Sequence, residues 1–338
     1  MSGALRNMSA FGTVFTPEMI ISRFENNSWS TPQTVKSDSI NLHPGAHVLH
    51  YSSTCFEGLK AFRHADGGIY VFRMDKNVAR MAQSSELLSL PKIDQAMLSN
   101  MITDIVRRYA ADVPNPPGSM YIRPTHIGTE PSIGKAAAPS MQSLMYVLLS
   151  PVGDYFAGGA KPLRLLLEDN ARCASHMGMV KSGGNYASAL QPIMRARAAV
   201  QADQVLFCPN GDVQETGAAN FLLIDGNEII TKALDASFLH GVTRDSILTL
   251  ARDRGMTVSE RQLTVDELLE RAAKPGAEAA LSGTAAVLTP VGTLIHNGKE
   301  HTVGNGLGGP TTNALRQALN EVQWGQAEDK HGWLTKVC

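Results

Sequence analysis

The spacing of apolar residues divides the first half of the chain into short strands and two longer helices. Apolar residues recur every three or four positions across residues 75–90 and 95–110, which predicts two amphipathic helices. Pro91 favours an end to the first helix, because proline disrupts a helix interior. Strands are predicted at residues 47–51, 68–72, 119–127 and 144–150.

The second half of the chain alternates shorter strands with helices. The predicted strands are residues 163–167, 204–207, 221–224 and 229–230, and the predicted helices are residues 186–200, 243–254, 264–273 and 311–322. A glycine-containing segment at residues 151–159 reads as a linker. The pattern therefore predicts an α/β (α+β) fold with a small N-terminal α/β domain at residues 1–152, an interdomain loop at 153–163 and a large domain at 164–338. We expect a ligand site between the two domains.

Composition narrows the possible functions. Apolar residues make up 43% of the 338 positions and charged residues 18%, which is an ordinary globular composition. The formal net charge of -1 and the scattered basic residues argue against nucleic-acid binding. No apolar run has the length of a membrane span, and no signal peptide is evident, so we expect a cytoplasmic protein. The four cysteines form no CxxC pair, and the histidines have no metal-binding spacing, so no metal site is predicted.

One lysine is a candidate for covalent chemistry. Lys181 lies in the segment MGMVKSGGNYAS, between short apolar residues and a Gly-Gly turn. Apolar surroundings disfavour the ammonium form, and a neutral amine can attack an aldehyde carbonyl. The segment therefore suggests an anchor for an aldehyde cofactor such as pyridoxal 5'-phosphate, although a solvated surface lysine is the commoner reading of such a residue.

Other residues offer partners for such a cofactor. Glu215, between a predicted turn and a strand, is a candidate carboxylate for a pyridine nitrogen. Gly241 opens the helix that contains Thr243, and a helix N-terminus of this kind binds anions well. The small-residue turn at residues 282–286 is a second candidate anion site. Arg80 lies on a helix face where a solvated role and an anion-binding role are about equally plausible.

A rival motif points to a different cofactor. Residues 304–309 match GxGxxG and precede a predicted helix. A dinucleotide site also requires a strand just before the glycines, within a βαβ unit. Because residues 289–302 look rich in turns, we interpret the glycines as a loop.

Taken together, nine segments in order along the chain resemble the class IV enzymes that use pyridoxal phosphate, and most closely the branched-chain-amino-acid aminotransferases. They are LHYSSTCFEGLKAFR, MYIRPTHIGTEPSIG, VLLSPVGDYF, MVKSGGNYASAL, QETGAANFLL, LHGVTRDSI, VSERQLTVDELL, LSGTAAVLTPV and GGPTTNALRQAL. The resemblance covers most of the chain, and it implies a two-domain enzyme of fold type IV.

The resemblance assigns a role to each matching position. It implies that Lys181 binds the cofactor covalently and that Glu215 contacts its ring nitrogen. The remaining cofactor-binding positions are Arg80, Tyr186, Gly241, Val242, Thr243 and Thr284. The substrate-binding positions are Tyr51, Phe56, Tyr121, Arg123, Tyr155, Thr284 and Ala285. A homodimer is also implied, in which the loop at residues 128–135 closes the partner's site.

The implied reaction is reversible transamination of L-leucine, L-isoleucine and L-valine with 2-oxoglutarate, by a ping-pong mechanism, in branched-chain amino-acid biosynthesis or breakdown. Three features depart from the family pattern: Ala218 replaces a threonine of animal members, Lys135 replaces an apolar residue, and residues 286–289 lack a thiol pair. We hypothesise that Lys135 favours substrates with a distal carboxylate, although a solvated lysine is an equally good reading. The alternatives are a D-amino-acid aminotransferase, an aminodeoxychorismate lyase and a binding protein without activity.

Overall fold

The computed structural model describes residues 11–153 and 161–338, and these fall into two compact units. The first contains residues 11–153, 180–183 and 322–338, and the second contains residues 161–179 and 184–321. Each unit has its own β-sheet with helices, which confirms the predicted α/β class. The domain boundaries proposed from the sequence stay a prediction, and residues 154–160 of the predicted interdomain loop lie outside the described residues.

The first unit is built on an antiparallel sheet. Strands and helices are numbered separately in chain order. The strands are β1 (Glu18–Glu25), β2 (Ser28–Trp29), β3 (Gln33–Lys36), β4 (Thr54–Phe56), β5 (Leu59–Arg63), β6 (Ile69–Phe72), β7 (Ser119–Gly128), β8 (Ser143–Val152) and β17 (Leu334–Lys336). Their order is β17-β6-β5-β7-β8-β1-β2, with β3 paired to β1 and β4 paired to β7. The helices are α1 (His47–Tyr51), α2 (Met74–Leu87) and α3 (Gln95–Arg108).

Helices α2 and α3 cover this sheet with their apolar faces. Met81 of α2 and Met101 of α3 are fully buried in one hydrophobic cluster with Leu59 and Ile122 of the sheet. Asp94 caps α3 by accepting hydrogen bonds from the first backbone N–H groups of that helix. The two amphipathic helices predicted from the sequence are thus confirmed, with ends that differ by one to three residues.

The second unit is built on a mixed sheet. Its strands are β9 (Leu163–Glu168), β10 (Gln204–Phe207), β11 (Asn220–Asp225), β12 (Glu228–Thr231), β13 (Thr257–Glu260), β14 (Glu278–Gly283), β15 (Val287–His296) and β16 (Lys299–Thr302). Their order is β10-β9-β15-β14-β11-β12-β13, with β16 paired to β15. Four more helices are α4 (Gly183–Val200), α5 (Val242–Asp253), α6 (Val265–Ala272) and α7 (Pro310–Gln323). No helix within residues 11–153 and 161–338 is long and apolar enough to cross a membrane.

Two expectations from the sequence were wrong. The strand predicted at residues 47–51 is helix α1, which ends where Ser52 adopts a left-handed conformation at φ 52°. The His47 side chain stabilises this turn through a hydrogen bond with Ser53 Oγ at 2.9 Å. The stretch at residues 289–302, interpreted as turns, contains most of β15 and all of β16. Pro290 and Gly292 concealed β15, because both residues are unusual inside a strand.

Candidate active site

Lys181 is held by its backbone. Its N–H group donates a hydrogen bond to Ser84 Oγ at 3.1 Å, and its carbonyl oxygen accepts one from the Phe56 N–H group, also at 3.1 Å. The next residue, Ser182, forms a β-bridge with Cys55 of β4. All of these residues belong to the first unit. The short strand β4 and helix α2 therefore fix the position of the candidate lysine.

Three of the predicted substrate residues lie together next to this lysine. The Lys181 Nζ atom is 5.2 Å from the centre of the Phe56 ring, and the Arg123 guanidinium carbon is 4.7 Å from the same ring. Arg123 also donates a hydrogen bond to the Tyr121 hydroxyl at 2.9 Å. Gly58 makes this arrangement possible, because a Cβ atom at that position would lie 2.0 Å from the Tyr121 hydroxyl oxygen.

The other two predicted substrate residues have different surroundings. Tyr51 lies in α1 and donates a hydrogen bond to the Ile133 carbonyl, in the loop at residues 128–135 of the same chain. That loop is also held by Glu130, whose carboxylate accepts hydrogen bonds from Lys135 Nζ at 2.6 Å and from the Met141 N–H group at 2.8 Å. Tyr155 lies outside the described residues.

Arg80, the predicted phosphate ligand, forms a buried ion pair. Its Nε and terminal nitrogen donate to the two carboxylate oxygens of Glu57 at 2.6 and 2.8 Å. The side chains of Arg80 and Glu57 are 9% and 1% exposed. Two parallel hydrogen bonds of this kind fix the plane of the guanidinium group. The phosphate role of Arg80 stays a prediction, and it would have to operate with Glu57 already bound.

Glu215 is the most closely surrounded carboxylate of the second unit. Arg172 forms an ion pair with it at 2.7 Å, the Leu239 N–H group donates to it at 3.0 Å, and Asn220 Nδ2 donates at 3.2 Å. The side chains of Glu215 and Arg172 are only 3% and 2% exposed. The Arg172 guanidinium carbon is also 6.0 Å from the centre of the ring of Tyr186. An acid buried with three donors is stabilised in its ionised form.

The N-terminus of helix α5 has the features of an anion site. Gly241 is its N-cap residue and supplies no capping side chain, and Val242 and Thr243 begin the first turn. A Cβ atom on Gly241 would lie 2.0 Å from Asn220 Oδ1, so the glycine is needed for the close approach to the strand that bears Asn220. The first N–H groups of a helix, with its dipole, favour phosphate binding.

The turn that contains Thr284 and Ala285 joins strands β14 and β15. It ends at Val287, which has φ 60°, a conformation that is strained for a β-branched residue. Nearby in β14, the hydroxyl of Ser282 is buried and has no hydrogen-bond partner among the described residues. Ser282 pairs directly with Asn220 of β11.

These residues fit pyridoxal phosphate. The cofactor needs an amine, a carboxylate for its ring nitrogen and donors for its phosphate, which Lys181, Glu215 and the start of α5 supply by residue type. The unpartnered hydroxyl of Ser282, opposite Asn220, is a further buried polar group that a bound molecule could satisfy. The donor set and the close approach at Gly241 are both consistent with the cofactor that the sequence resemblance implies.

The rival dinucleotide motif has a different role. A short strand, β16, does precede the glycines, contrary to expectation, but it pairs antiparallel with β15. The start of α7 is already occupied by Glu278, whose carboxylate accepts hydrogen bonds from the Thr311 and Thr312 N–H groups at 2.9 and 2.7 Å. A Cβ atom on Gly309 would lie 1.9 Å from the Glu278 carboxyl carbon. The last glycine therefore admits an internal carboxylate at the place where a dinucleotide would put its phosphates.

Two residues of these clusters were not identified from the sequence. Glu57 lies within the run CFEGLKAF, where a charged residue among apolar neighbours is itself a signal that a partner is needed. Arg172 lies in the irregular segment DNARCASH, which has no periodicity that would point to burial. In the part of the chain that the structure describes, no three His, Cys, Asp or Glu residues are grouped as metal ligands.

With this geometry established, residues 54–294 match the family described as "Amino-transferase class IV", so the chain belongs to that family. Among curated proteins it is 38% identical to the probable branched-chain-amino-acid aminotransferase of Streptomyces coelicolor, over 96% of this chain and 91% of that protein. It is 35% identical to branched-chain-amino-acid aminotransferase 2 of Bacillus subtilis, over 98% of this chain and 93% of the relative.

Solved structures give the same result. The Escherichia coli branched-chain amino acid aminotransferase superposes with a TM-score of 0.76 at 27% identity, covering 94% of this chain and 99% of the other. A bacterial-type branched-chain amino acid aminotransferase solved with pyridoxamine 5'-phosphate, from the source abbreviated T.th., gives a TM-score of 0.78 at 28% identity, covering 94% and 98%. The resemblance to the branched-chain group and to fold type IV is therefore confirmed.

Proposed function

We propose that this protein is a branched-chain-amino-acid aminotransferase that uses pyridoxal 5'-phosphate. In this reaction the amino group of L-leucine, L-isoleucine or L-valine passes to 2-oxoglutarate, giving a branched 2-oxo acid and L-glutamate. The observation that carries the proposal is the similarity to aminotransferases of this specificity over 96–98% of the chain. The cluster of Lys181, Phe56 and Arg123 supports it independently.

The cofactor would be held by the residues described above. The set comprises Arg80, Lys181, Tyr186, Glu215, Gly241, Val242, Thr243 and Thr284. When bound, pyridoxal phosphate supplies an electron sink for the negative charge that develops at the substrate Cα. Glu215 would hold a proton on the ring nitrogen, and its ion pair with Arg172 keeps its carboxylate ionised for this task.

Lys181 would then act on the substrate. Displaced from the cofactor by the substrate amine, its Nζ atom would take the proton from the substrate Cα as a general base. The aromatic residues Phe56 and Tyr121, together with Tyr51 and Tyr155, would surround the side chain, and the backbone N–H groups of Thr284 and Ala285 would hold the carboxylate. Because one methylene group changes discrimination by only ~1–3 kcal/mol, all three branched substrates should react.

The proposal includes the assembly and the place of action. We propose a homodimer in which the loop at residues 128–135 reaches the partner's site, with small amino acids and 2-oxo acids as the only other partners. The exposed Ile133 in that loop, 68% accessible, is consistent with a surface that another subunit covers. A cytoplasmic location is part of the same proposal.

A coupled assay with purified protein tests this function. L-leucine, L-isoleucine and L-valine should each yield L-glutamate from 2-oxoglutarate, and their D-isomers should not. Lys181→Ala is the matched control, which should fold and lack turnover. Activity with D-amino acids, or release of pyruvate from aminodeoxychorismate, would assign the chain to another member of the class IV enzymes.

A further inference from the structure

Helix α2 presents a buried polar face to the segment that carries Lys181. Arg80 and Ser84 are one turn apart on this helix, so their side chains leave it on the same side. Ser84 and the adjacent Ser85 are 1% and 0% exposed. A buried hydroxyl inside a helix requires a partner. For Ser84, the partner is the backbone N–H group of Lys181.

The two peptide groups next to the Lys181 Cα atom are fixed by different neighbours. On one side the N–H group donates to Ser84 Oγ, and on the other side the carbonyl oxygen accepts from the Phe56 N–H group, each at 3.1 Å. The contact to Phe56 is made by backbone, so any residue at position 56 other than proline supplies it. The contact to Ser84 is made by a side chain, so its presence depends on which residue occupies position 84.

We infer that Ser84 is a positioning residue for Lys181. By holding one of the two peptide groups, its hydroxyl fixes the direction of the Lys181 Cα–Cβ bond and hence the region that Nζ can reach. A displacement of ~1 Å at a reacting group can lower a rate by ~100-fold. The inference rests on the proposed function, because it assumes that Lys181 is the reacting lysine.

The adjacent serine provides a matched control. Ser85 Oγ hydrogen-bonds with Cys55 Sγ at 3.2 Å and with His126 Nδ1 at 3.0 Å, and His126 Nε2 hydrogen-bonds with Ser143 Oγ at 2.8 Å. Neither of these hydrogen bonds of Ser85 involves Lys181. Removing the Ser85 hydroxyl therefore tests the general cost of losing a buried hydroxyl from α2.

The test compares Ser84→Ala and Ser85→Ala as holoenzymes. We expect Ser84→Ala to lower the single-turnover rate with L-leucine by about 10-fold and to weaken the visible circular dichroism of the bound cofactor. The apparent affinity for L-leucine should change by less than about threefold, because Ser84 touches backbone and not substrate. Ser85→Ala should lower the thermal midpoint while its rate and dichroism stay within about threefold of wild type.

Ser84→Cys covers the case in which the alanine variant fails to fold. Cysteine keeps most of the volume, and its sulfur is a weak acceptor, so the same loss of rate and dichroism is expected. Unchanged rate and dichroism in whichever Ser84 variant folds would overturn the inference. Equal losses in Ser85→Ala would also overturn it, since they would show a general packing effect.

A labelling experiment separates this inference from the proposed function. Borohydride reduction of the wild-type holoenzyme, followed by peptide mapping, should place the pyridoxyl group on Lys181. A label on another lysine would refute the proposed role of Lys181. A label on Lys181 together with a fully active Ser84→Ala variant would refute only the role of Ser84.

Discussion

Replacing Glu215 by glutamine should damage both catalysis and stability, and the structure gives the reason for each. Three donors point at the carboxylate: Arg172, the Leu239 N–H group and Asn220 Nδ2. Glutamine offers only one acceptor oxygen, and its NH₂ group would face another donor. The substitution also removes the charge proposed to hold the ring nitrogen's proton.

The stability loss follows from the burial of the ion pair. Arg172 and Glu215 are 2% and 3% exposed, so Glu215→Gln leaves a guanidinium buried without its counter-charge. Breaking such a pair by removing one partner costs about 3–5 kcal/mol. This is a large fraction of the ~5–15 kcal/mol that stabilises a typical native domain.

A double variant separates the two effects. Arg172→Met combined with Glu215→Gln removes the uncompensated charge, so it should recover part of the unfolding free energy lost in Glu215→Gln alone. The single-turnover rate with L-leucine should stay about 100-fold below wild type in both variants, because neither restores the carboxylate. Urea unfolding of the cofactor-depleted proteins gives the stability, and stopped-flow absorbance of the holoenzymes gives the rate.

Two results would refute this reasoning. If Glu215→Gln reacted with L-leucine at the wild-type rate, Glu215 would not be the partner of the ring nitrogen. If the double variant regained the wild-type rate along with stability, the slow reaction of the single variant would be a consequence of unfolding and not of the missing charge.

Three further predictions concern groups outside this cluster. Lys135→Val should change KM for 2-oxoglutarate and for L-leucine equally, because the ammonium is already paired with Glu130 in its own chain, and steady-state kinetics at low salt would check this. Burial lowers the pKa of His126 to about 3 from an ordinary 6.5, so the unfolded state binds the proton first as pH falls. Between pH 7 and pH 5 this residue should therefore cost about 2 kcal/mol of stability, measurable by urea unfolding. Gly309→Ala should destabilise the fold by about 1–3 kcal/mol through contact with Glu278.

Controls make these three outcomes decisive. For the histidine, His126→Gln should flatten the pH dependence, and an unchanged slope would show that other groups cause it. For the glycine, Gly308→Ala is matched, because its Cβ atom would lie no closer than 3.3 Å to a neighbour, and equal losses in the two variants would refute the specific contact. For Lys135, a KM for 2-oxoglutarate that rises more than that for L-leucine would restore the steering hypothesis made from the sequence.

The sequence predicted elements whose local pattern agrees with their tertiary surroundings. Helices α2 and α3 were found because their apolar spacing matches the face that they bury. Strand β14 was missed because alanines dominate it, and alanine has low strand propensity, so its burial in the sheet is what stabilises it. Strand β15 was missed because its pattern is broken at Gly292, where the pairing with β9 shifts register.

The same distinction applies to the candidate site. Lys181 and Glu215 were recognised from short segments, since their chemistry depends on residue type and near neighbours. Arg172 and Ser84 act through contacts with residues 43 and 97 positions away in the chain, and the sequence has no pattern that joins such distant positions. The ion pair between Arg80 and Glu57 was missed for this reason as well.

The most direct test of the proposed function is a single turnover without an acceptor. Holoenzyme mixed with excess L-leucine, and no 2-oxoglutarate, should release one equivalent of 4-methyl-2-oxopentanoate per subunit and then stop until 2-oxoglutarate is added. Lys181→Ala should release none. Absence of this product from the wild-type protein, or its continuous release without an acceptor, would contradict transamination of branched-chain amino acids.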